Sequence, residues 1–152
     1  MTSEEERVLH DYLFSVEIWG LYELSFFSSC SPLLSVQLLT KYTREMLRKS
    51  DFLQGVGKNR NMMHTLLLNG FMACIEVDDF TNALYFKKQI EKNFFEENET
   101  YFRIVYLWAE GLLDSKQGRV EDGQRKMEDA VRIFEMIGCS KSADYYRSAI
   151  EC

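Results

Sequence analysis

What most constrains this chain is a faint repeat of about 40 residues in its C-terminal half, carried by small side chains at fixed spacing. The first copy runs through Asn69-Gly70-Phe71, Ala73 and Asp79-Phe80-Thr81-Asn82-Ala83. The second runs through Trp108, Gly111, Leu112, Val120, Gly123 and Ala130. A shift of 40 places Phe80 on Val120, Ala83 on Gly123, Ile90 on Ala130 and Phe94 on Phe134. Small residues recur where two antiparallel helices approach closely, and apolar residues recur where they bury a seam. That periodicity marks stacked helical hairpins, arrays that mostly bind peptides or proteins. It favours a binding surface over a catalytic pocket.

One proline and eight glycines in 152 residues leave helices little interrupted, and no segment sustains period-two alternation. The expected fold is all-α: a tetratricopeptide-like array of antiparallel helical hairpins, wound as a right-handed superhelix, in a single domain over residues 1–152. Ser3 with Glu4-Glu5-Glu6 opens a helix whose apolar face carries Leu9, Leu13, Val16 and Trp19, interrupted at Gly20. Pro32 suits the first turn of a helix over 33–49, and Ser50 to Lys58 reads as a loop. Helices follow over 59–77, from a cap at Asp78-Asp79 to Phe94, over 99–117, over 120–137 and over 140–151. Gly118 and Gly138 act as stops. Gly111, Gly123 and Ala130, 12 and 7 residues apart, fit tetratricopeptide spacing. In the first copy Phe71 stands where a glycine is expected, and the period exceeds the usual ~34.

Composition narrows the function. Apolar residues make up 46% and aromatics 14%, enough for a packed core. A formal charge of −6 argues against a nucleic-acid surface on this chain. Lys87-Lys88 and Arg125-Lys126 are flanked by acids and read as solvated helix faces. No run approaches the roughly 18 apolar residues of a membrane span, and the acidic start is unlike a signal peptide, so a cytoplasmic location is expected. Cys30, Cys74, Cys139 and Cys152 lack metal-ligand spacing, and Cys74 reads as a buried small hydrophobe. His10 and His64 accompany no nucleophile motif. No catalytic residue, metal or cofactor is assigned.

Several strings, in order, make the chain resemble the C-terminal region of the Rgg/MutR family of Gram-positive transcriptional regulators. They are Glu17-Ile18-Trp19-Gly20-Leu21-Tyr22-Glu23-Leu24, Leu66-Leu67-Leu68-Asn69 and Asp79-Phe80-Thr81-Asn82-Ala83-Leu84-Tyr85-Phe86. Tyr101-Phe102-Arg103, Glu110-Gly111 and Ile133-Phe134-Glu135-Met136-Ile137-Gly138 continue the series. The resemblance implies a tetratricopeptide-like regulatory domain that binds a short signalling peptide on its concave face and helps form a homodimer. In the family that domain follows a DNA-binding helix-turn-helix. Residues 1–60 show no compact basic helix-turn-helix, so the chain reads as a C-terminal fragment that reaches DNA only through an absent N-terminal domain. The alternative is a stand-alone helical-repeat adaptor that docks a partner protein.

A superhelical groove holds an extended peptide by pairing side-chain amides and charges with its backbone and termini. Asn69, in an apolar run where an unpaired amide would be costly to bury, is a candidate clamp for a peptide amide, or else satisfies a neighbouring helix. Arg103 suits a peptide carboxylate, which guanidinium binds bidentately; its alternative is an ion pair with Glu99. Glu110 lies seven residues on, on nearly the same face, and suits a peptide amine or a lysine. Tyr106 fits the same surface or the core. Trp19 and Trp108 read as core.

Overall fold

The computed structural model describes residues 1–15, 27, 29–49 and 57–151. The readings at Val16, Trp19 and Gly20, residues 50–56 of the expected loop, and Cys152 fall outside the described residues; Gly57 and Lys58, expected in that loop, open a helix instead. Every regular element among the described residues is helical: α1 (Ser3–Ser15), a 3-10 turn (Ser31–Leu33), α2 (Val36–Lys49), α3 (Gly57–Glu76), α4 (Phe80–Lys92), α5 (Thr100–Lys116), α6 (Val120–Met136) and α7 (Ser140–Glu151). The chain gathers into two compact units, Met1–Gly70 and Phe71–Cys152, whose boundary falls inside α3.

In the first unit α1 begins with a reciprocal cap. The Glu5 N–H donates to Thr2 Oγ1 at 3.1 Å and the Thr2 N–H donates to Glu5 Oε2 at 2.7 Å. The capping residue is therefore Thr2, one position before Ser3. Leu9 and Leu13 are buried, as are Leu39, Tyr42 and Met46 of α2. Pro32 falls in a separate 3-10 turn that ends at an extended Leu34 (φ −92°, ψ 146°), so α2 starts at Val36, later than its periodicity suggests. The Lys49 ammonium is buried. It donates to the Leu13 and Phe14 carbonyls at 3.2 and 3.0 Å and pairs with Glu45 at 3.3 Å. The last residue of α2 thus places a cation on carbonyls near the end of α1, where a positive charge is favoured. His64 is fully buried on α3 and contacts Arg60 at 3.3 Å.

The second unit is built on one repeated turn. Three residues join α3 to α4, α5 to α6 and α6 to α7. The middle residue is left-handed each time: Asp78 (φ 58°), Gly118 (φ 94°) and Gly138 (φ 82°). The following N–H donates five residues back, Asp79 to Cys74 at 2.9 Å, Arg119 to Asp114 at 2.9 Å and Cys139 to Phe134 at 2.8 Å. The middle N–H donates three back, to Ile75, Ser115 and Glu135. These are Schellman closures, which satisfy the last carbonyls of each helix. Asp78 and Gly118 are 40 positions apart, so the sequence repeat is a repeat of turns. Of the expected Asp78-Asp79 cap only Asp79 caps α4, accepting from the Asn82 N–H at 3.2 Å. Asp78 instead takes the place that glycine fills in the other two turns.

Between the second and third turns the small residues do the work expected of them. A Cβ on Gly111 would lie 2.6 Å from the Gly123 carbonyl oxygen, and one on Gly123 would lie 2.4 Å from that of Gly111. Only hydrogens fit where α5 meets α6. Ala83, Ala130 and Ala143 are fully buried on α4, α6 and α7, and α7 packs on α6. Trp108 is core, its ring 5.2 Å from that of Tyr146, which stacks on Phe134 at 5.7 Å. The 40-residue match holds for Ala83 with Gly123 and Ile90 with Ala130, all buried. It fails for Phe94, which lies past the end of α4 and is 43% exposed while Phe134 is buried. No helix among the described residues is long and apolar enough to cross a membrane.

Candidate functional site

Helical spacing places Lys87 and Glu91 one turn apart on α4, and Arg103, Tyr106 and Glu110 along one face of α5. Lys87, Glu91, Tyr106 and Glu110 meet in a half-buried polar seam. The Lys87 ammonium donates to the Tyr106 hydroxyl at 2.8 Å and pairs with Glu91 at 2.9 Å and Glu110 at 3.1 Å. The Tyr106 hydroxyl donates to Glu91 Oε1 at 3.1 Å. Burial works against the lysine charge, but hydrogen bonds from Glu91, Tyr106 and Glu110 outweigh it and hold Lys87 above the ordinary lysine value. The Lys87 hydrogen bond holds the Glu91 carboxyl below its ordinary value. Burial pushes the Tyr106 phenol up to about 12, so it stays neutral. Its ring packs against Phe71, Phe94 and Phe95 at 6.0, 5.8 and 6.0 Å, so Tyr106 serves the core and the seam at once.

Arg103 is held by backbone carbonyls rather than by the expected ion pair with Glu99. Its Nε donates to the Glu96 carbonyl at 2.9 Å and its Nη2 donates to the Phe95 carbonyl. The guanidinium lies over the Phe94 ring, 5.0 Å from its centroid. It holds the residue 93–99 connection against the start of α5, and it meets no carboxylate among the described residues. Asn69 is exposed on α3, in the first unit, so the desolvation argument does not apply to it.

The structure thus brings together Tyr106 and Glu110 and sets Arg103 beside them through the Phe94 ring. Asn69 belongs to the other unit. Sequence reasoning missed Lys87, Glu91 and Phe94. Lys87, read as part of a solvated face, is instead the cation at the centre of the seam, its side chain only 25% exposed. The available signal was Lys87 and Glu91 at i, i+4 on a helix facing Glu110.

A chain of helical hairpins with an ion-pair seam flanked by aromatic rings belongs to the class of all-α hairpin domains. The model of the C-terminal domain of the HTH-type transcriptional regulator Rgg matches residues 1–148, and the chain belongs to that family of transcriptional regulators. Crystal structures of the SHP pheromone receptor Rgg2 from Streptococcus dysgalactiae are 29% identical. A cysteine-to-serine variant superposes with a TM-score of 0.91, covering 99% of this chain and 55% of its own. The unsubstituted receptor gives 0.90, covering 99% and 56%. A candidate transcriptional regulator from Listeria monocytogenes EGD-e, at 20% identity and a TM-score of 0.84 over 99% of this chain and 52% of its own, shares the fold. The chain spans little more than half the length of the structures it matches.

Proposed function

We propose that this chain is the peptide-sensing and dimerising part of an Rgg-like regulator in the cytoplasm. It binds a short signalling peptide on its concave face and so controls DNA binding by an N-terminal domain. The supporting observation is likeness to SHP pheromone receptors over 99% of the chain at 29% identity. Arg103, with N–H groups to spare, takes a peptide carboxylate, and Tyr106 and Glu110 offer a hydroxyl and a carboxylate; exposed Asn69, in the other unit, is a separate candidate for a peptide amide. Peptide binding acts by shifting the population between two arrangements of the array.

Calorimetric titration with short synthetic copies of secreted bacterial peptides tests this reading. Saturable heat is expected, with Asn69→Ala and Arg103→Ala each weakening binding about tenfold, the value of one charge-assisted or buried hydrogen bond. Absence of binding, or unchanged affinity in both variants, overturns it. Sedimentation should give twice the 17.9 kDa protomer mass; a monomer at micromolar concentration overturns the dimer.

A further inference from the structure

Resting on the dimer reading, we infer that the outer face of α6 is the surface on which a second copy of this chain docks. The two α6 helices lie antiparallel about a two-fold axis at Ala130.

The observation that carries this is a row of charges. Glu121, Arg125, Glu128, Arg132 and Glu135 alternate in sign along α6 at spacings of 4, 3, 4 and 3, and all are exposed. At about 100° per residue they stay within about 80° of arc, so they form one seam along the helix. The seam does not satisfy itself. Arg125 turns to Asp122 at 3.1 Å and Arg132 to Asp129 at 3.6 Å, both off the row, and Glu135 pairs with Arg147 of α7. Glu121 and Glu128 meet no cation among the described residues, and Glu128 accepts from the Gln124 amide at 3.1 Å. Each arginine spends only part of its donor fork on its aspartate. On its opposite side α6 is fixed to α5 through Gly123, so the row sits on a firmly held helix.

The order of signs selects the partner. A two-fold axis at Ala130 sets residues equally far from it opposite each other. Glu128 then faces the partner's Arg132, two residues from the axis, and Arg125 faces the partner's Glu135, five residues from it. Symmetry repeats both pairings, so every charge from Arg125 to Glu135 meets an opposite one. A parallel partner in register would set each charge against its own kind, and a surface of one sign would be repelled at every second position. Self-complementarity under a two-fold axis is what an isologous dimer requires. The charges fix orientation and register more than affinity. Apolar contact comes from the adjoining groove of about 420 Å³, which Val131 and Ile150 line together with Glu128, Arg132 and Glu135.

Sedimentation velocity of the full chain over a range of micromolar concentrations tests this, with Glu128→Arg, Arg132→Glu and the double exchange. All these positions are exposed, so the melting temperatures should stay close to the parent's. Each single substitution sets like charges opposite each other twice and should raise the dimer dissociation constant at least about tenfold. The double exchange restores opposite charges and should return the constant to the parent's. A dimer that neither single substitution weakens overturns this surface and leaves the dimer reading standing. A double exchange no tighter than the singles overturns the two-fold register and the proposal with it. A parent chain that stays monomeric overturns the dimer reading and the surface together.

Discussion

The two faces of α5 solve the same packing problem in opposite ways. Towards α6 the helices touch through Gly111 and Gly123, with nothing between the backbones. Towards α4 they are linked by a lysine, a phenol and two carboxylates. The first contact is stiff, backbone against backbone, with one ion pair beside it, Lys126 to Asp114 at 2.8 Å. The second is soft, made of side-chain groups that can exchange partners.

The largest expected effect lies on the stiff side. Gly123→Ala forces a Cβ to within 2.4 Å of the Gly111 carbonyl oxygen and 2.6 Å of the Ser115 amide nitrogen. Backbone cannot yield as a side-chain tip can, so a loss of about 3 kcal/mol is expected in thermal denaturation. A melting temperature equal to the parent's would break the comparison.

Lys87→Met should cost about 1–2 kcal/mol at neutral pH, since it leaves the part-buried Glu110 carboxylate without its cation. The pH profile sharpens the contrast. Glu91, held below its ordinary value, contributes stability above about pH 4.3 that fades as pH falls through its lower folded value. Lys87, held above its ordinary value, contributes below about pH 10.4 and loses that contribution as pH rises beyond it. Tyr106, raised to about 12, likewise costs stability between about pH 10 and that value, because the unfolded phenol ionises first. A plateau between about pH 5 and 10 is expected in urea titrations. Lys87→Met should flatten its acid edge and Tyr106→Phe its alkaline one.

The smallest effect is a gain. Asp78→Gly relieves a left-handed aspartate and should add up to about 1 kcal/mol. The exposed 3.4 Å bridge from Lys116 to Asp78 that it removes is worth a few tenths. A drop in stability would mean that the bridge matters more than the turn.

The stiff side was legible in the sequence and the soft side was not, for a physical reason. Gly118 and Gly138 stop helices by their own backbone freedom, and Gly111, Gly123 and Ala130 betray close contact by lacking side chains, so each carries its meaning alone. Lys87 carries none alone: paired with Lys88, it reads as solvated, and only the packing of α4 on α5 brings Glu110 to it. Asp78 misled because aspartate more often caps a helix than ends one. Arg103 was singled out for a peptide carboxylate, but its carbonyl partners belong to a connection whose path no periodicity encodes.

That connection has one more consequence. Three-residue turns offer a protease almost nothing to grip, and in the second unit only residues 93–99 span a longer gap between helices. Arg103 pins this stretch through the Phe95 and Glu96 carbonyls. Arg103→Ala, which frees those carbonyls, is therefore expected to speed limited proteolysis within residues 93–99.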